Sequence, residues 1–164
     1  MKDKTILPRR DFFRSTGVVA TSILLPRQVM AALTKIKKPI KLGMIADLHQ
    51  DVMHDGPARL KAFLDAMKEE KPDALVQLGD FAYPTKKNDA VTKAFEKAHP
   101  RTLHVLGNHE IDGGHSFDKV AKLWGMKGRY YTENVGGLDL VVLDANEKPK
   151  NHKGGYPAHI GEKQ

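Results

Sequence analysis

Apolar positions along the chain follow two alternating rhythms, and their alternation predicts an α/β fold. Ile40 to Ala46 is a short apolar run of the kind that forms a buried strand. Pro57 to Glu70 follows with Leu60, Phe63, Leu64 and Met67 at i, i+3, i+4 and i+7. That spacing makes one apolar face of a helix, with proline near its start. Lys71-Pro72-Asp73 breaks it, and Ala74 to Leu78 reads as the second strand. Asn88 is the expected cap of a helix through Ala98, apolar at Val91, Ala94, Phe95 and Ala98. Pro100 stops that helix, and Thr102 to Leu106 is the third strand. A short helix from Phe117 to Trp124 has Ser116 as its cap and Gly125 just beyond its end. Tyr130 to Asn134 and Leu138 to Leu143 then form a strand pair around Gly136-Gly137, a hairpin signal. From Asp144 onward the chain is polar and rich in turn residues.

Strands alternating with helices imply a parallel or mixed sheet, in which ligands gather beyond the carboxyl ends of the strands. Three polar clusters fall at those ends. The first strand runs into Asp47-Leu48-His49, the second into Gly79-Asp80, and the third into Gly107-Asn108-His109-Glu110. Taken singly, each reads as an ordinary turn: Asp-x-His with a solvated imidazole, Gly-Asp as a plain reversal, and Gly-Asn-His-Glu with Asn in the left-handed region. In order, after three successive strands, they converge on one edge and supply carboxylate, imidazole and amide donors for a metal. A carboxylate can bridge two cations, and a glycine before it lets the backbone turn sharply.

Composition changes this picture in two places. The 164 residues contain no cysteine, which excludes disulfides, thiolate metal sites and thiol nucleophiles. Any metal must be held by oxygen and imidazole ligands, which suit Mn, Fe, Zn, Ni or Mg. The net charge of +7 invites a nucleic-acid reading. Yet Lys2, Lys4, Arg9, Arg10, Arg14 and Arg27 oppose only Asp3 and Asp11 in residues 1–31, so the body keeps just +3. It shows no basic stripe with interleaved aromatics, and nucleic acid is not expected as a partner. No Gly-rich phosphate loop follows the first strand, which disfavours a nucleotide-binding domain. Of the other histidines, His104 lies within the third strand and reads as a packed residue, while His54, His99, His115, His152 and His159 read as loop residues.

The three clusters resemble the first three motifs of the calcineurin-like metallophosphoesterases, over roughly residues 40–145, and Gly107-Asn108-His109-Glu110 is the most specific of them. The resemblance implies a sandwich of two mixed sheets flanked by helices, two divalent or trivalent metal ions (Mn, Fe, Zn or similar) and hydrolysis of a small phosphoester substrate. It further implies that Asp47 and His49 bind the first metal, that Asp80 bridges both, and that Asn108 binds the second through its amide oxygen. His109 would then protonate the leaving oxygen or steady the phosphoryl group, and Glu110 would orient an imidazole. Two cations about 3.5–4 Å apart can clamp both oxygens of an in-line displacement. The resemblance also calls for a later strand-borne His and a Gly-His-x-His element, and neither occurs in these residues. Residues 40–164 are therefore expected to be the N-terminal part of a truncated domain of this kind; the alternative is a truncated or divergent, non-catalytic exported module that binds metal or phosphate.

The first 31 residues read as a leader. Pro8-Arg9-Arg10-Asp11-Phe12-Phe13-Arg14 precedes a weakly apolar run from Gly17 to Leu25, and Val29-Met30-Ala31 suits signal-peptidase cleavage. The arginine pair resembles a bacterial twin-arginine signal, with Pro8, Phe13 and Arg14 departing from the usual pattern. The run is far short of the ~20 residues that span a bilayer, so no stable membrane anchor is expected. Residues 32–39 form a Lys-Pro linker. The expected partner of the leader is the export machinery, and the expected location is periplasmic or otherwise exported.

Overall fold

The computed structural model describes residues 38–164, so the leader read at residues 1–31 and most of the linker lie outside the described residues. Three parallel strands, β1 (Leu42–Ile45), β2 (Ala74–Gln77) and β3 (Thr102–His104), make one sheet in the order β1-β2-β3. Helices α1 (Gly56–Glu70) and α2 (Asp89–Ala98) connect them in turn. Helix α3 (Phe117–Leu123) follows β3, and β4 (Tyr131–Val135) pairs antiparallel with β5 (Leu138–Val142) as a second sheet. Every element predicted from the apolar rhythm is present. The three parallel strands are shorter than the apolar runs, whose flanking residues fall outside the paired segments. No described helix is long and apolar enough to cross a membrane.

The two faces of the parallel sheet bury different partners, as the period-two geometry of a strand requires. On one face Leu75 of β2 joins Leu60 of α1, Val91 and Phe95 of α2, and Val120 of α3 in the larger core. On the other face Ala74 and Val76 of β2 and Leu103 of β3 pack with Val135 of the hairpin. All four residues of β2 are buried, which explains its uninterrupted apolar sequence up to Gln77.

The caps show where local chemistry decided and where it did not. Ser116 accepts a hydrogen bond from Lys119 N at 3.2 Å, as an N-cap should, and Gly125 has φ of +62° past the end of α3. Asn88 precedes α2 but makes no side-chain cap bond. Its amide instead donates to Asp51 Oδ2 at 2.7 Å and to Tyr83 O at 2.9 Å, tying the loops after β1 and β2 together. A long-range carboxylate outcompeted the local cap.

His104 is a packed residue, as its place in the third strand predicted. It is 4% exposed, its ring lies 5.5 Å from that of Phe95 and 5.2 Å from that of Trp124, and Gln77 Nε2 is 3.3 Å from its Nδ1. Burial pushes its pKa down from 6.5 to about 4. The folded protein therefore holds the ring neutral where the unfolded chain protonates it. Stability from this group is fully present above pH 6.5 and is lost as pH falls toward 4, by on the order of 3 kcal/mol. Urea unfolding at pH 7, 5.5 and 4 should show a smaller acid loss in His104→Leu than in the wild type. Equal losses in the two proteins would contradict the assignment.

Candidate metal centre

The site begins where β1 ends. Leu48 is 0% exposed and plugs into the larger core, so Asp47 and His49 on either side of it are fixed by a packed anchor. Asp47 (φ +54°) and His49 (φ +49°) both adopt the left-handed backbone region, as does Asp80 (φ +53°) after β2. Non-glycine residues rarely take this conformation, and it persists only where surroundings enforce it. Here the enforcement is visible. Asp47 N donates to Gly79 O at 3.2 Å, His49 N to Asp80 O at 2.8 Å, and Gln50 N to Phe81 O at 3.1 Å, so the two loops are zipped together beyond the sheet. Arg59, near the start of α1, donates to the carbonyls of Asp47 and Leu48. Gln77 Oε1 accepts from Gly79 N at 2.7 Å at the end of β2.

The third loop closes on the second. Asp80 Oδ1 accepts from His109 N at 2.9 Å. The approach is so close that a Cβ on Gly107 would stand 2.1 Å from Asp80 Oδ1, and one on Gly79 would stand 2.7 Å from Gly107 Cα. Residues 109–111 form a single 3-10 turn, which brings Asp112 back under His109: Asp112 Oδ2 lies 2.6 Å from His109 Nδ1. With Nδ1 engaged, Nε2 is the nitrogen of His109 left for chemistry. Tyr83 lies beside Asp112, and burial together with the Asp112 and Asp51 carboxylates pushes its phenol above the usual range.

Glu110 does not orient an imidazole, contrary to the expectation from sequence. Its side chain is fully buried and its Oε1 accepts from Phe81 N at 2.6 Å, so it braces the third loop against the second. Burial pushes its carboxyl up to about 7, against the backbone amides that favour the ionised form. The carboxylate that holds an imidazole is Asp112, which lies outside the three polar clusters. Its only sequence signal is its spacing of three from His109, which matters only in a turn.

Asp47, His49, Asp80, Asn108 and His109 thus converge on one edge. His49 Nε2 lies 3.6 Å from Asp47 Oδ1 and 3.8 Å from Asp80 Oδ2. The rings of His49 and His109 meet edge to face at 4.8 Å, and donor atoms of His49, Asp80 and His109 all lie within 4.8 Å of one another. Asn108, Asp47 and Asp80 also line a cleft of about 260 Å³. His152 and His159 do not join the cluster: His152 Nε2 is 2.9 Å from Gly155 O, and His159 is held through its backbone to Ala145.

These donors fit a metal cation. The separations of 3.6 and 3.8 Å exceed a hydrogen bond. They are near the roughly 3–3.5 Å expected between adjacent donors on one ion with ligand bonds of about 2.0–2.2 Å. Among the described residues, His49 Nδ1 and Asn108 Nδ2 are buried without hydrogen-bond partners. Among the described residues no hydrogen bond fixes which way the Asn108 amide faces, so its oxygen is available to a cation.

A parallel sheet with acid, imidazole and amide donors gathered beyond its carboxyl ends defines an α/β protein built to hold metal at that edge. The chain belongs to the calcineurin-like phosphoesterase family, whose family model it matches over residues 40–163. No curated protein and no solved structure matches it.

Proposed function

We propose that this chain carries the first ligands of a dinuclear metal centre that hydrolyses phosphoesters. Asp47 and His49 would hold one cation and Asn108, through its amide oxygen, the second, with Asp80 as the ligand common to both. The cations, when bound, neutralise the phosphoryl oxygens and act as Lewis acids. Mn, Fe, Zn or a similar ion suits this mixture of oxygen and nitrogen donors. Hydrolysis forms a bond from a water oxygen to phosphorus, as that water gives up a proton to solvent, and breaks the bond to the leaving oxygen, which takes up a proton. His109 Nε2 supplies that proton, and Asp112 holds the ring through Nδ1 at 2.6 Å. The observation that carries this reading is the left-handed backbone at Asp47, His49 and Asp80. Strain enforced at three adjacent donor residues is characteristic of functional sites.

Calorimetric titration with Mn²⁺ or Zn²⁺ tests the centre. Asp80→Asn keeps the shape but removes the shared charge, and should weaken binding by about 10- to 100-fold. Release of a chromogenic phenol from an aryl phosphate, however slow, should disappear in the same variant. Metal affinity unchanged in Asp80→Asn would remove the basis of the proposal. Metal binding without any turnover favours the second reading, a binding module, which the absence of His152 and His159 from the donor cluster supports.

A further inference from the structure

Tyr156 stands beside the centre without being part of it. Tyr156 is 64% exposed, and its ring centroid lies 5.8 Å from that of His109 at an interplanar angle of 51°. It lines the same cleft of about 260 Å³ as Asp47, Asp80 and Asn108. The polar stretch after β5 is anchored on both sides of this residue. Asn146 Nδ2 donates to Leu106 O at 2.9 Å, and His159 N donates to Ala145 O at 2.8 Å. Further out, the Gln164 amide clips the backbone of Asp144 through two bonds of 2.8 Å, while the buried Asp144 carboxylate is held by Arg129 Nε at 2.6 Å. Gly154 (φ +113°) and Gly155 (φ +76°) reverse the chain just before Tyr156. The ring is thus presented from a tethered loop.

We propose that Tyr156 forms the leaving-group subsite and selects phosphoesters of a single aromatic ring. This inference rests on the phosphoesterase reading and deepens it. The ring adjoins His109, the group assigned to protonate the leaving oxygen, so a leaving group bonded to that oxygen comes within reach of Tyr156. An exposed aromatic face offers a flat apolar surface that rewards stacking. A cleft of about 260 Å³ falls just below the usual range for ligand pockets, enough for a phosphoryl group with one ring.

Phenylphosphonate and methylphosphonate test this, because they share the phosphoryl group, cannot be hydrolysed and differ by the ring. Calorimetric titration of the full chain with Mn²⁺ present should show phenylphosphonate binding about 5- to 10-fold more tightly. Tyr156→Phe should retain that preference, and Tyr156→Leu should bring the two ligands close to parity without weakening methylphosphonate. An unchanged Tm in both variants would show that the fold is intact. Equal affinities in the wild type, or a preference that survives in Tyr156→Leu, would overturn the inference alone. Binding of neither phosphonate would overturn the phosphoesterase reading along with it.

Discussion

Replacing Gly107 with alanine is expected to dismantle the candidate centre and to lower Tm by on the order of 10 °C. The added Cβ would meet Asp80 Oδ1 at 2.1 Å, Asp80 N at 2.3 Å and Glu110 Oε2 at 2.8 Å. None of these can give way cheaply. The Asp80 backbone is zipped to His49 through a 2.8 Å bond, and Glu110 is fully buried. Overpacking of this kind costs about 3 kcal/mol when backbone has to move. The movement also carries Asp80 away from His109 N and so changes the donor set itself. Metal affinity should fall by more than 100-fold, further than in Asp80→Asn, where only charge is lost. A Gly107→Ala protein with wild-type Tm and wild-type metal affinity would show that the loops do not meet as closely as described.

Glu110 provides the second large effect, and here two substitutions separate its roles. Glu110→Ala removes the acceptor of Phe81 N and leaves a cavity at a fully buried position, with an expected cost of about 3 kcal/mol. Glu110→Gln keeps an acceptor oxygen and the volume, so it should stay within about 1 kcal/mol of the wild type. Because the bond to Phe81 N fixes the residue after Asp80, the alanine variant should also bind metal more weakly, while the glutamine variant should not. Chemical unfolding and metal titration of both variants read this directly. If Gln proved as damaging as Ala, the charge rather than the brace would be the essential property.

The contrast between Glu110 and Asp112 shows why the site was only partly legible. Asp47, His49, Asp80, Asn108 and His109 could be picked out because each interrupts an apolar run at the point where a strand must end. That is a one-dimensional signal. Asp112 reaches His109 only because residues 109–111 close into a 3-10 turn, and nothing in its neighbours marks it. Glu110 stood in the right motif, but its partner is a backbone amide 29 residues away. Arg59 lies 11 residues beyond Leu48 and holds its carbonyl from a helix whose first turn looks like any other. Asn88 stands where a local cap is expected, and its amide bonds instead to Asp51, 37 residues earlier.

By itself the sequence determined the rhythm of the fold: where apolar runs make strands, where they make helix faces, and where three polar clusters end the strands. These are local properties, written in the spacing of side chains and in the residues that stop each run. Only the tertiary structure decided which face of the parallel sheet takes the helices and which takes the hairpin. It also decided that Asp47, His49 and Asp80 adopt a strained left-handed backbone, and that Tyr156 comes to rest beside His109. Those outcomes depend on backbone hydrogen bonds and close contacts between distant loops. Residue type alone favours none of them, because an isolated Asp or His would relax out of that conformation and an isolated loop would leave its tyrosine in water.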